Sequence, residues 1–226
     1  MSSLFEYCYH GFVTDQPPIR FRITENGFLT KNIVAYYNRP YTGYGHQDNP
    51  NFLNTLKNTF NKESLSQLNS ARQEVENILL VDLPKIINQH NFQNCVCVCI
   101  PRAKALNTYT DNQLFLRDAI RNASNKINGI VDGTDVIIRH TNTFTTHLEK
   151  ATADGRIQNN DGDKPYPGIT KATSYIKKDK IIGRRIILID DIYTKGVNID
   201  EDCIQALLDN GAQEVIFYAI GRTGGN

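Results

Sequence analysis

Short runs of branched aliphatic residues alternate along the chain with stretches in which apolar positions recur every three or four residues. That alternation predicts strands and helices in turn, and hence an α/β fold. Cys95-Val96-Cys97-Val98-Cys99-Ile100, Val136-Ile137-Ile138-Arg139, Ile186-Ile187-Leu188-Ile189 and Val215-Ile216-Phe217-Tyr218-Ala219-Ile220 have strand length and almost no polar position. Such runs suit a parallel sheet covered on both faces. Residues 168 to 176 predict one more, returning strand. Helical spacing connects Leu65, Leu68, Val75, Ile78 and Leu79 between Glu63 and His90, with Pro84 expected to break or kink the run before Ile86 and Ile87. Leu114, Phe115, Ala119 and Ile120 predict a second helix, and Ile204, Leu207 and Leu208, closed by Gly211, a third.

The first sixty residues read differently. They are aromatic and polar, with turn signals at Gln16-Pro17-Pro18, Asn26-Gly27 and Asn38-Arg39-Pro40. Strands are expected at Ile19 to Ile23 and Ile33 to Tyr37, in a small N-terminal unit (residues 1–61) that is mostly β or irregular. A boundary near Asn61 would separate it from an α/β core (residues 62–226). The cluster from Tyr36 to His46 could cover a ligand, but an ordered surface loop is the favoured expectation.

Composition narrows the class. Lysine and arginine total 25 against 24 aspartates and glutamates, so no global charge field recruits nucleic acid or a membrane. The opening residues lack a basic segment followed by an apolar one, and no apolar run approaches the roughly 20 residues of a membrane span. A cytoplasmic protein is the expectation. The five cysteines agree with it: Cys95, Cys97 and Cys99 alternate on one strand and read as small buried hydrophobes rather than metal ligands.

Candidate chemistry concentrates at Arg185 to Asn198. Four aliphatics run into Asp190 and Asp191, then a short loop, Thr194-Lys195-Gly196-Val197-Asn198, then an acidic helix start, Asp200-Glu201-Asp202. Ligands in open α/β sheets sit beyond the carboxyl ends of the strands, and free N–H groups at a helix start attract anions. Gly196 would let the backbone approach a phosphate oxygen, Thr194 could donate a hydroxyl, and Asn198 would serve as N-cap. The two carboxylates suit ribose hydroxyls, directly or through magnesium-bound water.

The string Asp190-Asp191-Ile192-Tyr193-Thr194-Lys195-Gly196-Val197-Asn198 resembles the 5-phosphoribosyl 1-diphosphate (PRPP) motif of type I phosphoribosyltransferases. Lys195 stands where that family usually has a second threonine, and Asn198 where a hydroxyl residue is usual. The resemblance implies a Rossmann-like parallel sheet flanked by helices with a hood and flap, PRPP bound by residues 190 to 198, and Mg2+ held by Asp190 and Asp191 through water. In the ComF-like branch a basic loop follows a strand-Pro pattern and reaches an Asn-Gln pair. Pro101-Arg102-Ala103-Lys104 and Asn112-Gln113 are similar, with Tyr109 and Thr110 replacing the usual basic residue and glycine. By that resemblance Arg102, Ala103 and Lys104 bind pyrophosphate, and Arg139, Thr143 and His147 belong to the flap, followed by the polar stretch from Asp154 to Gly168.

These expectations make the chain a phosphoribosyltransferase that moves the 5-phosphoribosyl group of PRPP to a small nitrogenous acceptor and releases pyrophosphate, with Asp190, Asp191 and Arg102 catalytic. The alternative is a catalytically weak module that binds PRPP or a nucleotide for regulation, a reading encouraged by the ComF-like branch and its link to DNA uptake. A phospho-acceptor receiver also pairs aspartates, but early in its chain. The acceptor and the oligomeric state, a homodimer included, stay open.

Overall fold

In the computed structural model, described for residues 16–43, 45–46, 48–145, 148, 160–162 and 168–224, strands and helices alternate much as the aliphatic runs predict. The order is β1 (Ile19–Ile23), β2 (Ile33–Tyr41), α1 (Asn51–Lys57), α2 (Leu65–His90), β3 (Cys95–Cys99), α3 (Phe115–Lys126) and β4 (Ile130–Asp132). Then follow β5 (Ile137–Arg139), β6 (Ser174–Ile176), β7 (Arg185–Tyr193), α4 (Ile199–Asp209) and β8 (Glu214–Thr223). Six strands form one sheet in the order β1-β2-β8-β7-β3-β4, while β5 and β6 pair as a separate antiparallel ribbon. In the large sheet only β1 runs antiparallel to its neighbour. The result is an α/β fold with a mostly parallel six-stranded sheet flanked by helices, compatible with a Rossmann-like architecture.

Both faces of the central strands are covered, as their unbroken apolar runs require. Cys95, Cys97 and Cys99 pack with Ile187, Ile189, Ile216 and Tyr218 into the layer that holds α1, α2 and α3. Val96, Val98, Ile186, Leu188 and Phe217 face the opposite layer, where α4 contributes Cys203, Ile204 and Leu207. The alternation of strand side chains thus feeds two cores from one run of residues.

Helix α2 opens on a capping box in which Ser64 accepts from the Gln67 N–H and the Gln67 side chain returns a bond to the Ser64 N–H. It runs for 26 residues through Pro84, which the sequence led us to expect as a break. An internal proline costs a helix about 3 kcal/mol. Leu79, Leu83, Ile86 and Ile87 are all buried around it, and each such side chain returns about 1.5–3 kcal/mol. Packing outweighs the local penalty.

The N-terminal region is not a unit apart from the sheet. β2 is inserted between β1 and β8, with Ala35 opposite Phe217 and Tyr36 opposite Tyr218. Tyr36 is buried and its hydroxyl meets His90 Nε2 at 2.7 Å, while Asn38 donates to Asp82 Oδ2 at 2.9 Å. The cluster expected as a surface loop therefore begins as strand, through Tyr41. Its polar residues obscured this because they satisfy partners on α2. β4 was also hidden: Ile130, Val131 and Asp132, a run of only three residues between Gly129 and Gly133, pair with β3 at the sheet edge.

This topology creates a crevice. From β3 the chain crosses through α3 to β4 on one side, whereas from β7 it crosses through α4 to β8 on the other. The two adjacent strands lead away in opposite directions, the arrangement that opens a ligand crevice at their carboxyl ends. No described helix is long and apolar enough to cross a membrane.

Candidate functional site

β7 does not stop at Ile189; it continues to Tyr193, so both acids belong to the strand. Consecutive strand residues point to opposite faces, and the two carboxylates accordingly have different surroundings. Each Oδ1 accepts the next backbone N–H, Asp190 from Asp191 at 2.8 Å and Asp191 from Ile192 at 2.7 Å. The Asp190 side chain is hydrogen-bonded to Asp200 in the first turn of α4. Burial, then the Asp191 charge, push Asp190 up to about 7. Burial, followed by the charge of Asp190, raises Asp200 well above the usual carboxylate range, so the two carboxyls titrate as a pair that holds on to a proton.

Asp191 instead faces Lys57, the last residue of α1, with Nζ 3.4 Å from Oδ2. Burial works against the Lys57 charge, but Asp191 and then Asp190 overcome it and hold the ammonium above its ordinary value. The acidic helix start is not a solvated turn. Asp200 and Glu201 are buried, Glu201 accepts the Tyr193 hydroxyl at 2.9 Å, and Asp202 accepts the Ile169 N–H at 2.6 Å.

Asp190 and Asp191 line a cavity of about 420 Å³ at the carboxyl ends of β3 and β7, a size usual for small-molecule sites. Arg102, Ala103, Lys104 and Arg139 line it as well. The two expected pyrophosphate cations are engaged with the protein. Arg102 donates through Nη1 to Gln113 O at 2.5 Å and through Nη2 to Lys57 O at 2.6 Å, with its guanidinium 4.5 Å from the Tyr109 ring centre. Lys104 Nζ donates to Thr143 O at 3.0 Å and pairs with Asp161 Oδ1 at 2.9 Å. Tyr109 and Thr110, the departures from the ComF-like pattern, have structural roles here. The Tyr109 hydroxyl accepts from the Lys104 N–H at 3.0 Å, and Thr110 opens a capping box closed by Gln113.

The turn Thr194-Lys195-Gly196-Val197 closes through one bond, Val197 N–H to Thr194 O at 3.2 Å, and Gly196 supplies the positive φ of 88° that its third position requires. Among the described residues none accepts from the amides of Lys195, Gly196 or Asn198. Asn198 precedes α4 but makes no side-chain cap: it has left-handed backbone, donates to Gly196 O and accepts from Asn26. A cap from its side chain would need extended backbone. Ile192 and Tyr193 belong to the strand, and the cavity wall takes in Ile199 but none of residues 192 to 198. The turn adjoins the cavity rather than lining it.

In the flap region, Arg139 is buried with Nε donating to Arg102 O at 3.0 Å. Thr143 is buried too, and both its N–H and its hydroxyl donate to Ala103 O at 2.8 Å. These two residues brace the basic loop. His147 and most of residues 154 to 167 lie outside the described residues. Lys57, Phe60, Arg117 and Phe144 line the cavity without having been expected there. Helical spacing of Phe52, Leu53 and Leu56 could have revealed α1, but nothing local says that its end meets Asp191.

Among the described residues no group of three or more acidic, histidine or cysteine side chains could hold a metal ion by itself. Asp190 and Asp191 both border the cavity but leave β7 on opposite faces, so a magnesium ion there would be held by them through its water shell rather than by a cluster of direct protein ligands. In comparison with known proteins no family model and no curated protein matches the chain, so the function must be argued from this crevice.

Proposed function

We propose that the chain binds PRPP across the carboxyl ends of β3 and β7 and transfers its 5-phosphoribosyl group to a small nitrogenous acceptor. The observation that carries the reading is the convergence of Asp190, Asp191 and the Arg102–Lys104 loop on one cavity, beside a turn whose amides at Lys195, Gly196 and Asn198 donate to no acceptor among the described residues. In this reading the turn cradles the 5-phosphate, and the acids hold the ribose hydroxyls.

The reaction breaks the bond between ribose C1 and the diphosphate oxygen, and the electron pair leaves with pyrophosphate. The acceptor nitrogen forms the new bond to C1 with its lone pair and gives up one proton. Positive charge develops on the sugar as the bond breaks, and Asp191 lies within reach to stabilise it once Lys57 is engaged elsewhere. A bound Mg2+, held through water by Asp190 and Asp191, would neutralise the leaving diphosphate. The fixed geometry of Arg102, braced by Gln113 and Lys57 carbonyls, keeps the loop in place without reorganisation.

Calorimetric titration of PRPP with and without Mg2+, followed by a pyrophosphate-release assay across bases and small amines, tests the proposal. The expected result is magnesium-dependent binding and release that requires one acceptor class. Asp190→Asn with Asp191→Asn should abolish binding; PRPP affinity undiminished in that double variant would refute the site. The second reading, a regulatory module that binds PRPP or a nucleotide without turnover, draws support from the engagement of Arg102 and Lys104 by protein carbonyls. Tight binding with no release for any acceptor would select it.

A further inference from the structure

We propose that Lys57 and Arg117, rather than Arg102 and Lys104, are the cations that receive the diphosphate, and that Lys57 exchanges Asp191 for a phosphoryl oxygen when the ligand enters. The inference rests on the reading of the cavity as a PRPP site.

Four of the cations on the cavity wall differ in what they can give up. Arg102 has both terminal nitrogens on carbonyls, at 2.5 and 2.6 Å, and one face against Tyr109. Turning it to a ligand would strip Gln113 O and Lys57 O of these donors and remove two of the bonds that tie the loop to the end of α1 and the turn before α3. Lys104 is similarly tied, with its ammonium bonded to Thr143 O and Asp161. Both side chains are architecture for the loop that carries them.

Lys57 and Arg117 are placed otherwise. Among the described residues the Lys57 ammonium makes its ion pair with Asp191, and the 3.4 Å separation is long for a charge-assisted hydrogen bond. Its four-carbon stem allows the ammonium to swing while the backbone stays fixed. Arg117, in the first turn of α3, is anchored by Nε to Thr134 O at 3.0 Å. Among the described residues its two terminal nitrogens meet no acceptor, and they form the fork that suits a phosphoryl group. These cations come from two different helices and share one cavity.

The exchange has a consequence for the sugar. While Lys57 rests on Asp191, that carboxylate is neutralised; once the ammonium moves to the diphosphate, Asp191 is released to accept ribose hydroxyls. Entry of the diphosphate end therefore prepares the sugar end. Sequence spacing could not suggest this, since α1 and β7 meet only in the folded chain.

Calorimetry on the full chain separates the possibilities, with inorganic pyrophosphate and ribose 5-phosphate as independent probes. Lys57→Gln and Arg117→Gln should each weaken pyrophosphate binding by about tenfold or more, and Lys57→Arg should recover it to within about threefold. Ribose 5-phosphate, which addresses the Thr194–Asn198 turn, should bind no more weakly to Lys57→Gln than to the parent. Unchanged pyrophosphate affinity in both glutamine variants overturns the inference and leaves the PRPP reading intact, as does ribose 5-phosphate binding with no pyrophosphate binding at all. A parent protein that binds neither probe overturns the PRPP reading and this inference with it.

Discussion

Replacing Asp200 by asparagine isolates the proton shared beneath the candidate site. In the folded chain Asp200 is buried and bonded to Asp190, and its pKa stands well above the ordinary value of 3.8. A raised carboxyl binds its proton more tightly folded than unfolded, so its contribution to stability is fully present below about pH 4 and is lost as the pH rises toward the folded value. The slope is at most about 1.4 kcal/mol per pH unit for one group. Between pH 5 and pH 7 that amounts to at most about 2.7 kcal/mol, and solvent relaxation around the site reduces it to about 1–2 kcal/mol. Asparagine keeps a donor toward Asp190 and cannot ionise. Asp200→Asn should therefore gain on the parent protein by about 1–2 kcal/mol between pH 5 and pH 7, or a rise of a few degrees in relative Tm for a chain of this length. Urea unfolding at the two pH values measures the difference directly: groups remote from the pair cancel between parent and variant, and what remains belongs to Asp190 and Asp200 together. A stability difference that is the same at both pH values would refute the shared proton, since an ionised Asp200 has no pH-dependent cost to remove.

Other outcomes follow from the same geometry. Tyr218→Phe removes the hydroxyl that donates to the buried Asp82 at 2.7 Å and should cost about 1–3 kcal/mol in urea unfolding; no loss would mean that Asn38 alone satisfies the carboxylate. Gly133→Ala would bring a methyl carbon to 2.4 Å from Val96 Cγ1 and 3.0 Å from Cys97 O, so a loss of about 1–3 kcal/mol is expected, and an unchanged Tm would contradict the packing at the β4 end. Lys195 is exposed on the turn, and Lys195→Thr should retain affinity for ribose 5-phosphate by calorimetry; disappearance of binding would make the lysine central. Burial pushes the Cys95 thiol up to about 11 and Cys97 up to about 12, so alkylation at pH 8 with peptide mapping should leave Cys95, Cys97, Cys99 and Cys203 unmodified in the native chain. Rapid labelling of any of them would show that the central strands open.

The sequence by itself determined the features that depend on neighbours within a few residues. Ile186 to Ile189 could only be a strand covered on both faces, and the spacing of Leu65, Leu68, Val75, Ile78 and Leu79 marked the first long helix, α2. The acids were legible for the same reason, because their chemistry is carried by one continuous string. Tertiary structure decided what that chemistry faces. Burial against α4 gives Asp190 and Asp200 a common proton, α1 delivers Lys57 to Asp191, and carbonyls from α1 and the loop before α3 occupy Arg102. It also placed β2 beside β8 and carried α2 straight through Pro84. Strand and helix patterns follow from the local period of apolar side chains, whereas the charge state and partners of a polar group are set by whatever the packed chain brings within a few ångströms of it, and no local pattern encodes that.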